Sequence, residues 1–129
     1  MLLPLRYARA WLMVGLLFLV LGLVSALSPP AIPLPLAIDD KLLHFVAFLG
    51  FMVWFGGVFQ PRLAPLVVLG LSAYGLLIEL LQSLTVTRHA EGLDLVADIS
   101  GVLLGWLLGV AGLSRWCMKL ESWFPGRNL

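Results

Sequence analysis

Four apolar runs set the terms for this chain. Residues 10–27, 42–59, 63–81 and 95–113 are each eighteen or nineteen residues long, and among Asp, Glu, Lys and Arg they contain only Glu79 and Asp98. At about 1.5 Å per residue, a helix of that length covers a hydrocarbon core of roughly 30 Å. Dividing 129 residues in this way leaves nothing for a separate soluble domain, so one unit over 1–129 is expected. The balance of 61% hydrophobic and 12% charged residues agrees, since soluble chains run at roughly half apolar and a quarter charged. The expected class is all-α: a four-transmembrane-helix bundle with a short C-terminal interfacial helix.

The punctuation between the runs fits that reading. Arg6 and Arg9 precede the first run and Ser28-Pro29-Pro30 follows it. Val24-Ser25-Ala26 has the small-residue pattern of a signal-peptide cleavage site, but the run exceeds the ~7–15 residues of a signal h-region, so retention as a span is expected. Residues 28–38 carry four prolines, which remove backbone donors and predict an extended connector. Asp39 or Asp40 then suits a helix start, where the dipole favours negative charge. Gln60-Pro61-Arg62 predicts a tight turn. Ala97, Gly101, Gly105 and Gly109 recur every four residues, the stripe through which membrane helices approach closely. In the tail, Trp116, Leu120, Trp123 and Phe124 share a helical face with Arg115 and Lys119 beside it, as in a helix lying at an interface.

Charge orients the bundle and removes several function classes. Arg6, Arg9, Arg62, Arg115, Lys119 and Arg127 fall on the side of the termini, against Lys41 and Arg88 on the other. Basic residues stay in the cytoplasm, so both termini are expected there. The basic residues are scattered without interleaved aromatics, which argues against nucleic acid. Cys117 is the only cysteine, which excludes an internal disulfide and a cysteine-based zinc site. No charged path crosses the midplane, which argues against a transporter.

The polar residues instead gather at one end. Asp40, Lys41 and His44 open the second run, Glu79 and Gln82 close the third, Arg88 sits in the loop, and Asp94 and Asp98 open the fourth. The i, i+3 and i, i+4 spacings place them on shared helical faces. Glu79 and Asp98 lie about five residues inside their runs, roughly 8 Å deep at the helical rise, with His44 shallower. Ionisable groups at such depth cost about 2.5–3.5 kcal/mol each and mark functional sites by default. The plainer alternative is an ion-pair network of Glu79, Arg88 and Asp98 that fixes packing.

Asp40-Lys41-x-x-His44-Phe45, Glu79-x-x-Gln82 and Arg88-x5-Asp94-x3-Asp98-x2-Gly101-x3-Gly105, in that order, resemble the VanZ-like membrane proteins over about residues 39–109. The family commonly has Asn where this chain has Asp98. The resemblance implies a small four-helix protein of the bacterial cytoplasmic membrane, associated with teicoplanin resistance, with Asp40, Lys41, His44, Glu79, Gln82, Arg88 and Asp94 as its recurrent polar residues. It brings no settled reaction.

Chemistry suggests roles for these groups. Arg88 and Lys41 suit a phosphate or carboxylate, with Asp40, Gln82 and Asp98 as further ligand contacts. His44, Glu79 and Asp94 are the acid–base candidates. Ser83, Thr85 and Thr87 lack an activating arrangement for a nucleophile. The expected partner is a membrane lipid or a lipid-linked envelope precursor, bound or modified at the outer surface. A non-catalytic protein acting through its glycine stripe, or by altering surface binding of a glycopeptide, is the competing reading. No cofactor is expected. A divalent cation on Glu79, Asp94, Asp98 and His44 is the weaker option, since no motif such as H-E-x-x-H is present.

Overall fold

The structure, a computed structural model, describes residues 1–29 and 40–124. It comprises α1 (Ala8–Leu27), α2 (Asp40–Val58), α3 (Ala64–Ser83), α4 (Gly92–Val110) and α5 (Trp116–Ser122). Short 3-10 turns, Pro61–Leu63 and Leu113–Arg115, precede α3 and α5. The first four helices are long and apolar enough to cross a membrane. No strand forms among the described residues, only an isolated antiparallel bridge between Leu2 and Phe59. The expected proline connector, Asp39 and Arg127 fall outside those residues, apart from Ser28 and Pro29 at the connector's start.

The helix limits follow local chemistry more than hydropathy. The spacing predicts the fourth helix over 95–113, whereas α4 starts at Gly92 and stops at Val110. Asp94 thereby sits in its first turn, where the N-terminal dipole favours a carboxylate. Beyond the far end, Gly112 takes φ 122°, a conformation that glycine alone adopts without strain.

The closest packing is between α2 and α4. A Cβ on Gly101 would collide with the Phe45 carbonyl and come within 3.0 Å of the Leu49 nitrogen, so backbone lies directly on backbone there. At Gly105 an added Cβ would meet Met52 Cβ at 2.7 Å. The seam ends at that point: Gly109 faces only Ser114 Cβ, at 3.9 Å, and Ala97 is half-buried. The expected four-residue stripe therefore reduces to Gly101 and Gly105, filled by α2 of the same chain. Around it lies the core of Phe48, Met52, Phe55, Leu71, Ile78 and Val102.

Helix α1 is attached differently. Gly15 is its only fully buried residue, and three side chains from its neighbours grip its backbone. Trp54 Nε1 donates to the Trp11 carbonyl (3.1 Å), Tyr74 Oη to that of Leu19 (2.5 Å) and Gln82 Nε2 to that of Ala26 (2.9 Å). Each such bond contributes about 1 kcal/mol net.

The end carrying the termini is closed by aromatics. Trp11, Trp54 and Trp116 stand 5.3–5.4 Å apart, centroid to centroid. Helix α5 is drawn into this end further than an interfacial helix requires. Cys117 is fully buried among Leu3, Leu5 and Val58, and Trp116 Nε1 donates to the Val53 carbonyl at 2.9 Å. Burial pushes the Cys117 thiol up to about 12, which leaves it a packing group without thiolate reactivity. Of the four expected interfacial residues, Trp123 and Phe124 remain exposed.

Glu121 completes the closure. Its carboxylate accepts from the backbone N–H groups of Arg6 (2.6 Å) and Tyr7 (3.0 Å) and from Trp11 Nε1 (2.8 Å). It is an anionic cap for α1 supplied from the other end of the sequence, aligned with the helix dipole. Partial burial disfavours its charge, but the three donors and the Arg6 charge outweigh that and hold its carboxyl below the usual range. A depressed carboxyl stabilises the fold fully above the ordinary glutamate value of about 4.3 and loses the contribution as pH falls through the lower folded value. Glu121→Ala should thus cost about 1 kcal/mol near neutral pH, allowing for solvent screening. The difference from wild type should shrink on acidification below pH ~4, as followed by thermal unfolding in detergent. A loss that does not change with pH would place the effect in packing.

Candidate functional site

The end opposite the termini collects the polar residues. Asp40, Lys41 and His44 come from the first two turns of α2, Glu79 and Gln82 from the last two of α3, and Asp94 and Asp98 from the first two of α4. Arg88 and Glu91 reach over from the α3–α4 loop. Because α2 lies directly on α4, His44 and Asp98 meet: Nδ1 and Oδ1 are 2.8 Å apart. His44 is therefore level with Asp98, where its distance from the start of the apolar run predicts a shallower position.

Burial at this end is deep. Asp98 is 0% exposed, Gln82 1%, Asp94 2%, Glu79 7% and His44 9%. Glu79 Oε2 accepts from the Glu91 backbone N–H at 3.0 Å, which pins the start of α4 to the end of α3. Four buried polar atoms have no hydrogen-bond partner among the described residues: Glu79 Oε1, Gln82 Oε1, Asp94 Oδ1 and Asp98 Oδ2. Groups of this kind are normally satisfied, because an unpaired buried acceptor costs about 1–3 kcal/mol.

Cations ring the entrance. Arg88 donates through Nε to the Ser28 carbonyl (3.0 Å) and through Nη1 to Asp40 Oδ2 (3.1 Å), which leaves Nη2 for another partner. Lys41 Nζ bonds Glu91 Oε2 at 2.7 Å and stands 3.6 Å from Asp94 Oδ1. The Lys41 bond holds the exposed Glu91 carboxyl below its usual range. Below this rim a groove of about 150 Å³ runs between α1, α2 and α3, with Asp40, His44 and Arg88 at its polar end and Ala47, Phe51 and Ile78 along its apolar part. A larger cavity of about 280 Å³ is mostly apolar and lies at the other end of the bundle, beside Phe59 and Trp106, with none of the polar-end residues in its lining.

The sequence-derived candidates separate into distinct roles. Of the three acid–base candidates only His44 lines the groove, while Glu79 and Asp94 stand behind it. Asp40 and Arg88 line it as an ion pair. Gln82 spends its amide on the Ala26 carbonyl, as a strut between α3 and α1. Asp98 is the buried partner of His44, and Lys41 bridges to the start of α4. Ser83 and Thr85 satisfy neighbouring carbonyls. His89 is exposed in the loop. No family model, curated protein or solved structure matches the chain.

Two contributors escape the sequence reading. Glu91 reads from its place as a loop or helix-start charge, and it does directly precede α4, yet its N–H and carboxylate also join α3 and α2. Tyr74 is one aromatic among many, yet it ties α1 to the wall of the groove. The one signal for Glu91 is its place four residues before the apolar run at 95, close in sequence to Asp94 and Asp98.

Proposed function

We propose that this chain is an integral membrane protein that binds an anionic amphiphile of the cell envelope, with the headgroup at Arg88 and His44 and the hydrocarbon between α1 and α2. The observation that carries this reading is the groove, whose charged mouth and apolar floor match the two halves of such a molecule. Arg88 Nη2 supplies a planar donor pair for a phosphate oxygen. The imidazole of His44, held through Nδ1 by Asp98, keeps its second nitrogen for proton transfer with the headgroup.

The polar end is assigned to the outer face of the bacterial cytoplasmic membrane. Arg6, Arg9, Arg62, Arg115 and Lys119 belong to the other end, and basic residues favour the cytoplasmic side. A lipid-linked wall precursor is the substrate class that fits this location, and holding such a lipid would alter susceptibility to glycopeptides such as teicoplanin. The competing role for the glycine stripe, as a surface for a partner, finds less support because α2 already occupies Gly101 and Gly105.

The test is equilibrium binding of a fluorescent polyprenyl phosphate to the purified chain in neutral detergent. Arg88→Ala should weaken binding about tenfold, or about 1.4 kcal/mol. The uncharged polyprenol should bind wild type about as weakly as the phosphate binds the variant. Equal affinity for alcohol and phosphate, or no effect of Arg88→Ala, would remove the headgroup assignment.

A further inference from the structure

The polar end holds more buried negative charge than its own cations offset. Glu79, Asp94 and Asp98 are all at least nine-tenths buried. Arg88 is committed to Asp40 at the rim, and Lys41 approaches Asp94. Among the described residues, that leaves Glu79 and Asp98 facing His44 as their one titratable neighbour of opposite sign. Even a protonated imidazole balances one of the two. Each of these carboxylates also keeps one buried oxygen without a donor, Oε1 of Glu79 and Oδ2 of Asp98. Excess charge and unsatisfied acceptors call for the same remedy, a cation among them.

The geometry suits a metal ion. His44, Glu79 and Asp98 each place a ligating atom within 4.8 Å of the others'. They come from α2, α3 and α4, one ligand per helix. The 2.8 Å between His44 Nδ1 and Asp98 Oδ1 is close to the roughly 3 Å separating adjacent ligands of a six-coordinate ion with bonds of about 2.1 Å. A second grouping, Asp40 with His44 and Asp94, meets the same distance condition, but Asp40 is exposed and paired with Arg88, and Asp94 has Lys41 beside it. The inner set is the one whose charge is uncompensated.

We infer that His44, Glu79 and Asp98 bind one divalent cation of the Mn2+ or Zn2+ type, which replaces the proton shared by His44 Nδ1 and Asp98 Oδ1 and ties three helices together behind the groove. One imidazole with two carboxylates selects this class over thiophilic ions. The inference goes beyond the amphiphile reading and does not depend on it, because the ion is measured with no lipid present.

The experiment uses the full chain, purified in neutral detergent, stripped with chelator and titrated with MnCl2, with free Mn2+ read by electron paramagnetic resonance. One ion per chain is expected, with nitrogen coupling from the imidazole in the pulsed spectrum. Glu79→Gln and Asp98→Asn should each weaken binding by more than the roughly 10–100-fold that loss of an outer-shell partner costs, while Glu121→Gln, a carboxylate change at the far end, leaves it as in wild type. The wild-type spectrum decides the matter if the variants do not fold. No retained Mn2+, retained Mn2+ without nitrogen coupling, or binding that survives both Glu79→Gln and Asp98→Asn would each overturn the inference, the first of these leaving carboxylates that are neutralised by protons.

Discussion

Gly101→Ala is expected to cost the fold about 2–3 kcal/mol, the largest loss from any one-carbon addition to the α2–α4 seam. The new Cβ would press on the Phe45 carbonyl and the Leu49 nitrogen. Those atoms belong to α2's own hydrogen-bonded ladder and have no rotamer to escape into, so the two helices must separate. The matching control is Gly50→Ala on α2, where an added Cβ meets nothing within 4 Å. That change should be neutral or gain about 0.5–1 kcal/mol from helix propensity. Unfolding in detergent, by heat or by graded addition of a denaturing detergent, compares the pair. Equal effects would mean that close approach of α2 and α4 does not organise the bundle. Gly101 lies three residues beyond Asp98, and Phe45 directly follows His44. The seam therefore sets the 2.8 Å between the buried pair as well as the stability.

The second large effect belongs to that pair. His44→Ala removes the one hydrogen-bond partner that a fully buried carboxylate has among the described residues, and breaking a buried pair in this way costs about 3–5 kcal/mol. Asp98→Ala should be milder, because a neutral imidazole tolerates burial better than a carboxylate. The double variant leaves no charge to strand, so its loss should fall short of the sum by about 1–3 kcal/mol. Asp98→Asn is the informative companion. An Asn carbonyl still accepts from His44 Nδ1, so stability should largely survive. The measurement is unfolding of the metal-free chain in detergent for all four variants. Additive losses in the cycle would show that His44 and Asp98 merely share a neighbourhood.

The four long helices were legible because hydrocarbon thickness imposes a length on apolar runs that few other structures need. The gathering of polar groups at one end was legible for a related reason: alternating spans carry residues near their odd- and even-numbered ends to opposite faces. Pairing was not. Spacing of i, i+4 links Asp40 with His44 and Asp94 with Asp98 along single helices, but the contacts that form cross between elements: Asp40 with Arg88, His44 with Asp98 and Lys41 with Glu91. Helix rotation and the offset between α2 and α4 decide these, and both depend on where two backbones touch, at Gly101 and Gly105. The stripe's regular period also gave Gly109 a role that the departure of the chain after Val110 takes away. The Glu121 cap was beyond reach because it joins residues more than a hundred positions apart.

Helix α1 carries a consequence for how such a sequence changes over generations. Trp54, Tyr74 and Gln82 hold it by the carbonyls of Trp11, Leu19 and Ala26, and a carbonyl is the same whatever side chain it bears. Selection acting on this attachment reads the three donors, along with Gly15 and Gly22, which lie against Trp54, Phe55 and Phe51. Apart from Trp11, which donates to Glu121 and packs against Trp54 and Trp116, most other α1 side chains have apolar packing as their main constraint. Trp11, Gly15 and Gly22 aside, the first helix is thus free to drift among Leu, Val, Ile, Phe and Met, while the residues that recognise it, written elsewhere in the chain, stay fixed. Descendants of this protein would diverge fastest in the segment that walls one side of its groove.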